Sequence, residues 1–116
     1  MENQKVFNMQ FAKVYKLLIA KAERKGRTRE EADQITCWLI GYTQSQLNDS
    51  MMDTITYGDF FLNSPEPHPN RYLIKGKICN VRIEEIEDPL MKEVRYLDKL
   101  VDELAKGKTM DKILRQ

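Results

Sequence analysis

Residues 88–106 read DPLMKEVRYLDKLVDELAK and contain the most clearly marked helix of the chain. Asp88 is a good N-cap residue, because its carboxylate can accept hydrogen bonds from the first free backbone amides. Pro89 follows at the first helical position, where a missing N–H removes no intrahelical bond. The segment therefore predicts a long helix from Pro89 to about Lys106, ended by Gly107. Its apolar side chains have the spacing of one buried face: Leu90, Val94, Leu97, Val101 and Leu104, with Leu100 beside them.

Capping patterns predict the helices that pack against this one. Two capping boxes are present, Thr28 with Glu31 and Thr43 with Gln46. In a capping box, the side chain of each residue accepts a hydrogen bond from the backbone amide of the other at the start of a helix. Trp38 and Leu97 are expected to be buried on their helices. The predicted helices run from after Asn8 to Gly26, from Thr28 to Gly41, from Thr43 to about Met52 and around Tyr57–Leu62, with a terminal turn at Met110–Leu114. Within residues 53–63, the side chains expected to be buried are Ile55, Phe60, Phe61 and Leu62.

The segment that follows the predicted helix around Tyr57–Leu62 contains a proline at every second position, at 65, 67 and 69. Each ring fixes its own φ and keeps the preceding residue out of the helical region, so a stiff, extended connection is predicted. Residues 72–83 then alternate in a way typical of a small hairpin, although a helical turn at Asn70–Leu73 is the alternative. The fold class expected is mainly α: a small orthogonal helical bundle of four to five helices in one domain, residues 1–116, with room for one short β-hairpin around residues 72–83.

Several stretches resemble a known family. They are residues 83–91 (IEEIEDPLM) and 95–108 (RYLDKLVDELAKGK), together with 7–9 (FNM), 21–28 (KAERKGRT) and 38–42 (WLIGY). In these stretches the chain resembles an uncharacterised bacterial family, domain of unknown function 2200. The resemblance implies a small, mainly helical, cytoplasmic bacterial protein. It implies no activity, ligand or catalytic residue, so no functional residue is carried over from it.

Charge is strongly segregated along the chain. No Lys or Arg lies between Arg29 and Arg71, while the first 29 residues hold eight cations against two acids. Unmixed charge of this kind indicates that the segments pair within the fold or present one-signed faces to partners. We call the intervening acids the acidic block: Glu30, Glu31, Asp33, Asp49, Asp53, Asp59 and Glu66.

A second cationic stretch, the basic segment, is the candidate anion-binding site: Arg71, Lys75, Lys77 and Arg82. On a β-ribbon, alternate positions share a face, so Lys75 and Lys77 would project together. They could hold a phosphate backbone by charge while Tyr72 stacks on a base. The alternative is that these cations pair with the acidic block or protect an edge strand.

Other candidate chemistry has a simple structural interpretation. His68 lies in the proline-rich connection, without the set of N or S ligands that structural zinc requires. Cys37 and Cys79 lack a nearby partner and are expected to be reduced and slow to react, although a catalytic pairing of His68 with either remains an alternative. The acids at positions 84, 85, 87 and 88 could hold a divalent cation or, more simply, stabilise the start of the following helix. No cofactor and no metal site is expected.

These features favour a non-enzymatic cytoplasmic protein that binds a protein partner or another copy of itself. The alternative function is phosphate or nucleic-acid binding through the basic segment. A sequence pI near 7.7 argues against general electrostatic binding of nucleic acid. No apolar run is long enough to span a membrane, and no secretion segment follows the N-terminus, so a cytoplasmic location is expected.

Overall fold

Helix α6 (Pro89–Ala105) is the central element of the computed structural model, which describes residues 2–78 and 80–115. The described part is mainly α-helical with one short hairpin, so the predicted fold class is confirmed. Cys79 lies outside the described residues. The other elements are α1 (Glu2–Asn8), α2 (Phe11–Arg24), α3 (Arg29–Ile40), α4 (Gln44–Met52), α5 (Tyr57–Leu62), α7 (Met110–Ile113), β1 (Lys77–Ile78), β2 (Val81–Arg82) and two 3₁₀ turns at Pro69–Leu73 and Ile83–Glu85.

The predicted start of α6 is confirmed in atomic detail. The Asp88 carboxylate accepts hydrogen bonds from the backbone amides of Leu90 (2.9 Å) and Met91 (3.3 Å), while Pro89 fills the first helical position. The apolar face of α6 contacts α2, α3 and α5. Leu90, in contrast, is only half-buried. The fully buried positions of the predicted stripe are Val94, Leu97, Leu100, Val101 and Leu104.

The N-terminal region departs from the prediction, because Asn8 ends α1 rather than capping α2. Gln10 is the residue before α2, and it forms an isolated antiparallel bridge with Thr56. This pairing keeps residues 9 and 10 extended, since the amide of Phe11 donates to the Ile55 carbonyl at 2.9 Å. Helix α1 has seven residues, too few to show a clear apolar period. It packs Phe7 closely over Gly58, where an added Cβ would lie 2.8 Å from the Phe7 Cβ.

A buried polar network joins α2, α3 and α4. The Tyr15 hydroxyl donates to Asp33 Oδ1 at 2.7 Å and lies 3.0 Å from the Thr36 hydroxyl oxygen. Gln44 Nε2 donates to the other oxygen of Asp33 at 2.9 Å. Burial raises the pKa of Tyr15 well above its usual value. Because buried polar groups destabilise a core unless they are hydrogen-bonded, these contacts fix the mutual positions of the three helices.

The proline-rich connection is anchored to the C-terminal end of α3. The Ser64 hydroxyl donates to the Ile40 carbonyl at 2.7 Å, and the backbone amide of His68 donates to the Leu39 carbonyl at 3.0 Å. The His68 ring stacks on Trp38, with centroids 4.2 Å apart, and its Nδ1 accepts from the Asn70 amide at 3.0 Å. The sole histidine is therefore a structural cap in this fold. Trp38 is half-buried beneath it, so its predicted full burial is wrong.

Between the two alternatives for residues 70–73, the helical turn forms. The 3₁₀ turn at Pro69–Leu73 removes Tyr72 from the predicted ribbon, and Ile74 follows as its C-cap residue. The hairpin is consequently shorter than the sequence suggests, with Lys77 opposite Arg82 and Ile78 opposite Val81. It packs on α6 through Ile78, which is buried.

We predict that Leu97→Ala lowers the free energy of unfolding by about 2–5 kcal/mol, because the side chain is fully buried at the centre of α6. Chemical denaturation monitored by circular dichroism measures the change. Leu73→Ala is the matched control, since Leu73 is 55% exposed and its truncation should change stability by less than about 0.5 kcal/mol. Equal effects of the two substitutions would contradict the packing described for α6.

Candidate interaction groove

Arg71, the first residue of the basic segment, is committed to contacts within the fold. Its Nε lies 3.1 and 3.0 Å from the two carboxylate oxygens of Glu93. One terminal nitrogen donates to the His68 carbonyl at 2.9 Å, and the other donates to the Tyr72 hydroxyl at 2.9 Å. The guanidinium also lies 4.4 Å from the centre of the Tyr72 ring. Arg71 therefore ties the connection to α6, with few donors left for an external anion.

The other three cations of the basic segment lie on or next to the hairpin, and all three are exposed. Lys77 and Arg82 occupy opposite positions of the two strands. Arg82 approaches Glu84 and Glu85 only to 3.9 Å. The acids near the basic segment thus come from positions 84, 85 and 93, so the prediction that the acidic block pairs with it is wrong. The structure separates Arg71 from the other cations, and anion binding by the segment stays a prediction.

The acids before α6 also have local functions. Asp88 caps the helix, and Glu84 Oε1 accepts from the backbone amide of Gly76 at 2.9 Å. That hydrogen bond holds the pKa of Glu84 below its usual value. Among residues 2–78 and 80–115, no three His, Cys, Asp or Glu side chains come together in a way that could hold a metal ion.

A cleft of about 650 Å³ opens between α3 and α4, with Asp33 at its floor. Both oxygens of this carboxylate already accept hydrogen bonds, from Tyr15 and Gln44. Arg29 Nε lies 3.5 Å from it, on the solvent side, with an approximately half-exposed side chain. The charge at the floor is therefore used to hold three helices together, and the cleft presents no uncommitted ionised group there.

Exposed apolar side chains collect instead in a groove formed by α5, the proline-rich connection and the N-terminal end of α6. Leu62 is 66% exposed and Tyr72 is 58% exposed, and both line this groove together with the half-buried Leu90. A second depression, beside α1, shares Leu62, Asp88 and Leu90 with it, so the two are continuous. Their volumes are about 500 and 440 Å³. We call this continuous surface the groove.

The predicted burial of Leu62 is wrong, and Ile55 is only half-buried. Three consecutive apolar residues in a helix cannot all face one core, because successive side chains are separated by about 100° around the axis. Phe60 and Phe61 are buried in α5, and Leu62 consequently points away from them into solvent. The helical spacing of residues 60–62 is therefore the signal in the sequence that could have predicted the exposure of Leu62.

The groove is acidic as well as apolar. Asp59, Asp88 and Glu93 line it, and its only cation among the described lining residues is Arg71, which is paired with Glu93. Asp59 is exposed and makes no ion pair with any residue in the described part of the chain. The α6 amides that could attract an anion already donate to Asp88. The surface is therefore complementary to apolar groups flanked by cations.

Comparison with known proteins places the chain in a family. The family model described as an uncharacterized protein conserved in bacteria, DUF2200, matches residues 5–115. The chain belongs to this family. The chain is also similar to the crystal structure of the uncharacterized protein SP1917, which is 57% identical, with a TM-score of 0.93 and coverage of 96% of this chain and 91% of that one. No curated protein matches the chain significantly.

The chain is thus a mainly helical member of the DUF2200 family. No helix within the described residues combines the length and apolar character needed to cross a membrane. The groove is a part of the described surface where exposed apolar side chains and acids lie together.

Cys37 is predicted to react slowly with thiol reagents, because burial and the nearby Asp33 raise the pKa of its thiol. The Cys79→Ser variant leaves this single thiol for measurement. Native protein should react at least about tenfold more slowly with a disulfide reagent than protein unfolded in denaturant, since only the thiolate attacks. Equal rates in the two states would contradict the protection of Cys37.

Proposed function

We propose that this DUF2200 protein is a non-enzymatic, cytoplasmic protein-interaction module that uses the groove as its binding surface. One observation supports it most: Leu62 and Tyr72, each more than half exposed, flank the half-buried Leu90 on one continuous surface. Contiguous exposed apolar surface is unfavourable in water and typically marks an interaction site. Covering these side chains would provide the main favourable free energy of binding.

The chemistry of the partner follows from the groove's charges. With three acids and one paired cation lining it, the groove would attract Lys or Arg side chains and repel acids. Such charges mainly set the rate of encounter and the choice of partner, whereas the apolar contacts set the lifetime of the complex. The preferred partner is therefore a protein segment with exposed apolar side chains flanked by cations.

The acids of the groove support a binding role rather than acid–base catalysis. Both oxygens of Glu93 accept from Arg71, and Asp88 accepts from the first amides of α6. A general base has to be free to take a proton from a substrate. In this arrangement both carboxylates hold structure, which leaves Asp59, at the margin of the groove, as the lining acid whose carboxylate has neither an ion pair nor a hydrogen bond in the described part of the chain.

The proposal is tested with a labelled helical peptide of leucine and lysine in i, i+3, i+4 spacing. We expect saturable binding by fluorescence anisotropy, and at least about tenfold weaker binding after Leu62→Asp, because a charge would replace the central apolar contact. Met52→Asp is the matched control, since Met52 is 87% exposed on α4 and does not line the groove.

Two further measurements make this test specific. A peptide with glutamate in place of lysine should bind at least about tenfold more weakly, because it meets the acids of the groove. The melting temperature of Leu62→Asp should match that of the parent, since the side chain is exposed. Peptide binding that is equally strong in both Asp variants, or no saturable binding at all, would refute the proposal.

The alternative function, phosphate or nucleic-acid binding, is supported by three exposed cations on and beside the hairpin, with Tyr72 exposed nearby in sequence. Two findings weaken it. Arg71 is held by Glu93, and Glu84 and Glu85 lie close enough to Arg82 to reduce its attraction for an anion. A site of three cations beside several acids gives a weak field for a polyanion.

We predict negligible binding of single- or double-stranded oligonucleotides at physiological salt, measured by fluorescence anisotropy. The variant Lys75→Glu, Lys77→Glu should melt at the parent temperature, because neither ammonium forms an ion pair within the described residues. Salt-sensitive binding would favour the alternative function if it weakens in this variant and its log–log salt slope falls by roughly 0.7–0.9 per cation removed.

A further inference from the structure

The solvent side of α2 combines cations with one exposed leucine. Phe11, Tyr15 and Ile19 face the core, so the opposite side of the helix is directed to solvent. Leu17 is 71% exposed there. Positions 13, 17, 20 and 24 follow the i, i+4, i+7, i+11 spacing of a single helix stripe. We call the following set the α2 strip: Lys13, Lys16, Leu17, Ala20 and Arg24.

The cations of the α2 strip are exposed to solvent. Lys13, Lys16 and Arg24 are exposed, and none forms an ion pair with the described part of the chain. Lys21, on the same helix, differs because its Nζ lies 3.2 Å from Asp102. The strip thus places three cations around an apolar side chain, with the exposed Glu23 at its edge, which is the chemistry that the groove would select.

We infer that the partner of the groove is a second copy of this chain, which docks its α2 strip there. The inference rests on the proposed function of the groove and names its occupant. Leu17 of one copy would contact Leu62 and Tyr72 of the other. The flanking cations would face Asp59 and the other acids of the groove. A cationic surface on one copy and a mainly acidic surface on the other are complementary between two molecules.

The two surfaces also limit the symmetry of the assembly. Strip and groove are different patches, so one contact alone is heterologous and leaves a free strip and a free groove at the ends. Two copies related by a two-fold axis could make the contact twice and leave neither surface open. The strip spans about 17 Å, from a rise of about 1.5 Å per residue over positions 13 to 24. Two such contacts approach the size of a standard protein interface more closely than one.

Sedimentation equilibrium of the full chain tests the inference. We expect association that weakens as salt rises from about 50 to about 500 mM, because screening reduces the attraction between strip and groove. Leu17→Asp and Leu62→Asp should each raise the dissociation constant at least about tenfold, whereas Met52→Asp should leave it unchanged. The charged variants lie at exposed positions, and equal melting temperatures confirm that each remains folded.

A charge exchange makes the test independent of stability. The first variant carries Lys13→Glu and Lys16→Glu in the strip, and the second carries Asp59→Lys in the groove. Each alone places like charges in both possible contacts and should associate more weakly than the parent. Their mixture restores opposite charges in both contacts, so association should recover in the mixture alone. A general loss of folding would not be repaired by mixing.

The outcomes distinguish this inference from the proposed function. A chain that stays monomeric, yet binds the leucine–lysine peptide in a manner that depends on Leu62, overturns self-docking and keeps the groove as a binding site. Association that survives Leu17→Asp, Leu62→Asp or the charge reversals overturns self-docking as well. Loss of both self-association and peptide binding would overturn the inference and the proposed function together.

Discussion

The structure depends on the packing of α2, α3 and α5 against the apolar face of α6. Five side chains of this face are fully buried, and three of them, Val94, Leu97 and Val101, have the i, i+3, i+7 spacing of one helix face. Each such side chain contributes roughly 1.5–3 kcal/mol when it is removed from water. Arg27 adds a connection at one end, since one terminal nitrogen donates to the carbonyls of Leu104 (3.2 Å) and Lys108 (2.7 Å). The side chain that follows the end of α2 thus satisfies carbonyls at the end of α6.

Most ion pairs of the described chain are short-range in sequence or involve α6. Arg27 also forms an ion pair with Glu31. This guanidinium, together with the Thr28 amide, lowers the pKa of the Glu31 carboxyl to about 2. Five of the seven acids in the acidic block take part in no ion pair of the described residues, and all five are exposed. The first helices keep several cations exposed in the same way. Of the two interpretations of the segregated charge, the structure therefore favours one-signed faces over internal neutralisation.

The elements that were predicted well from sequence are those whose signals are local. Capping boxes place the starts of α3 and α4 correctly, and Asp88 with Pro89 places the start of α6, because these residues act on amides within one helical turn. The errors arise where a distant contact decides. Residues 9 and 10 are extended because they bond to residues 55–57. Trp38 is half-buried, and the ring that stacks on it belongs to a histidine thirty positions away. The groove combines α5, the proline-rich connection and α6, so only its individual residues were visible in the sequence.

Gly41 has a consequence for how the groove works. It has a φ of 80°, and an added Cβ there would lie 2.6 Å from the Glu66 carbonyl oxygen, so backbone meets backbone where α3 ends. Together with the bonds from Ser64 and His68 to the same helix end, this contact fixes the connection on which Pro67 and Tyr72 lie. A binding surface that is already rigid loses little conformational entropy when a partner arrives. One wall of the groove is thus preorganised by a glycine on the far side of the loop. If the groove binds a partner as proposed, a change at that glycine would weaken binding without altering any surface that the partner contacts.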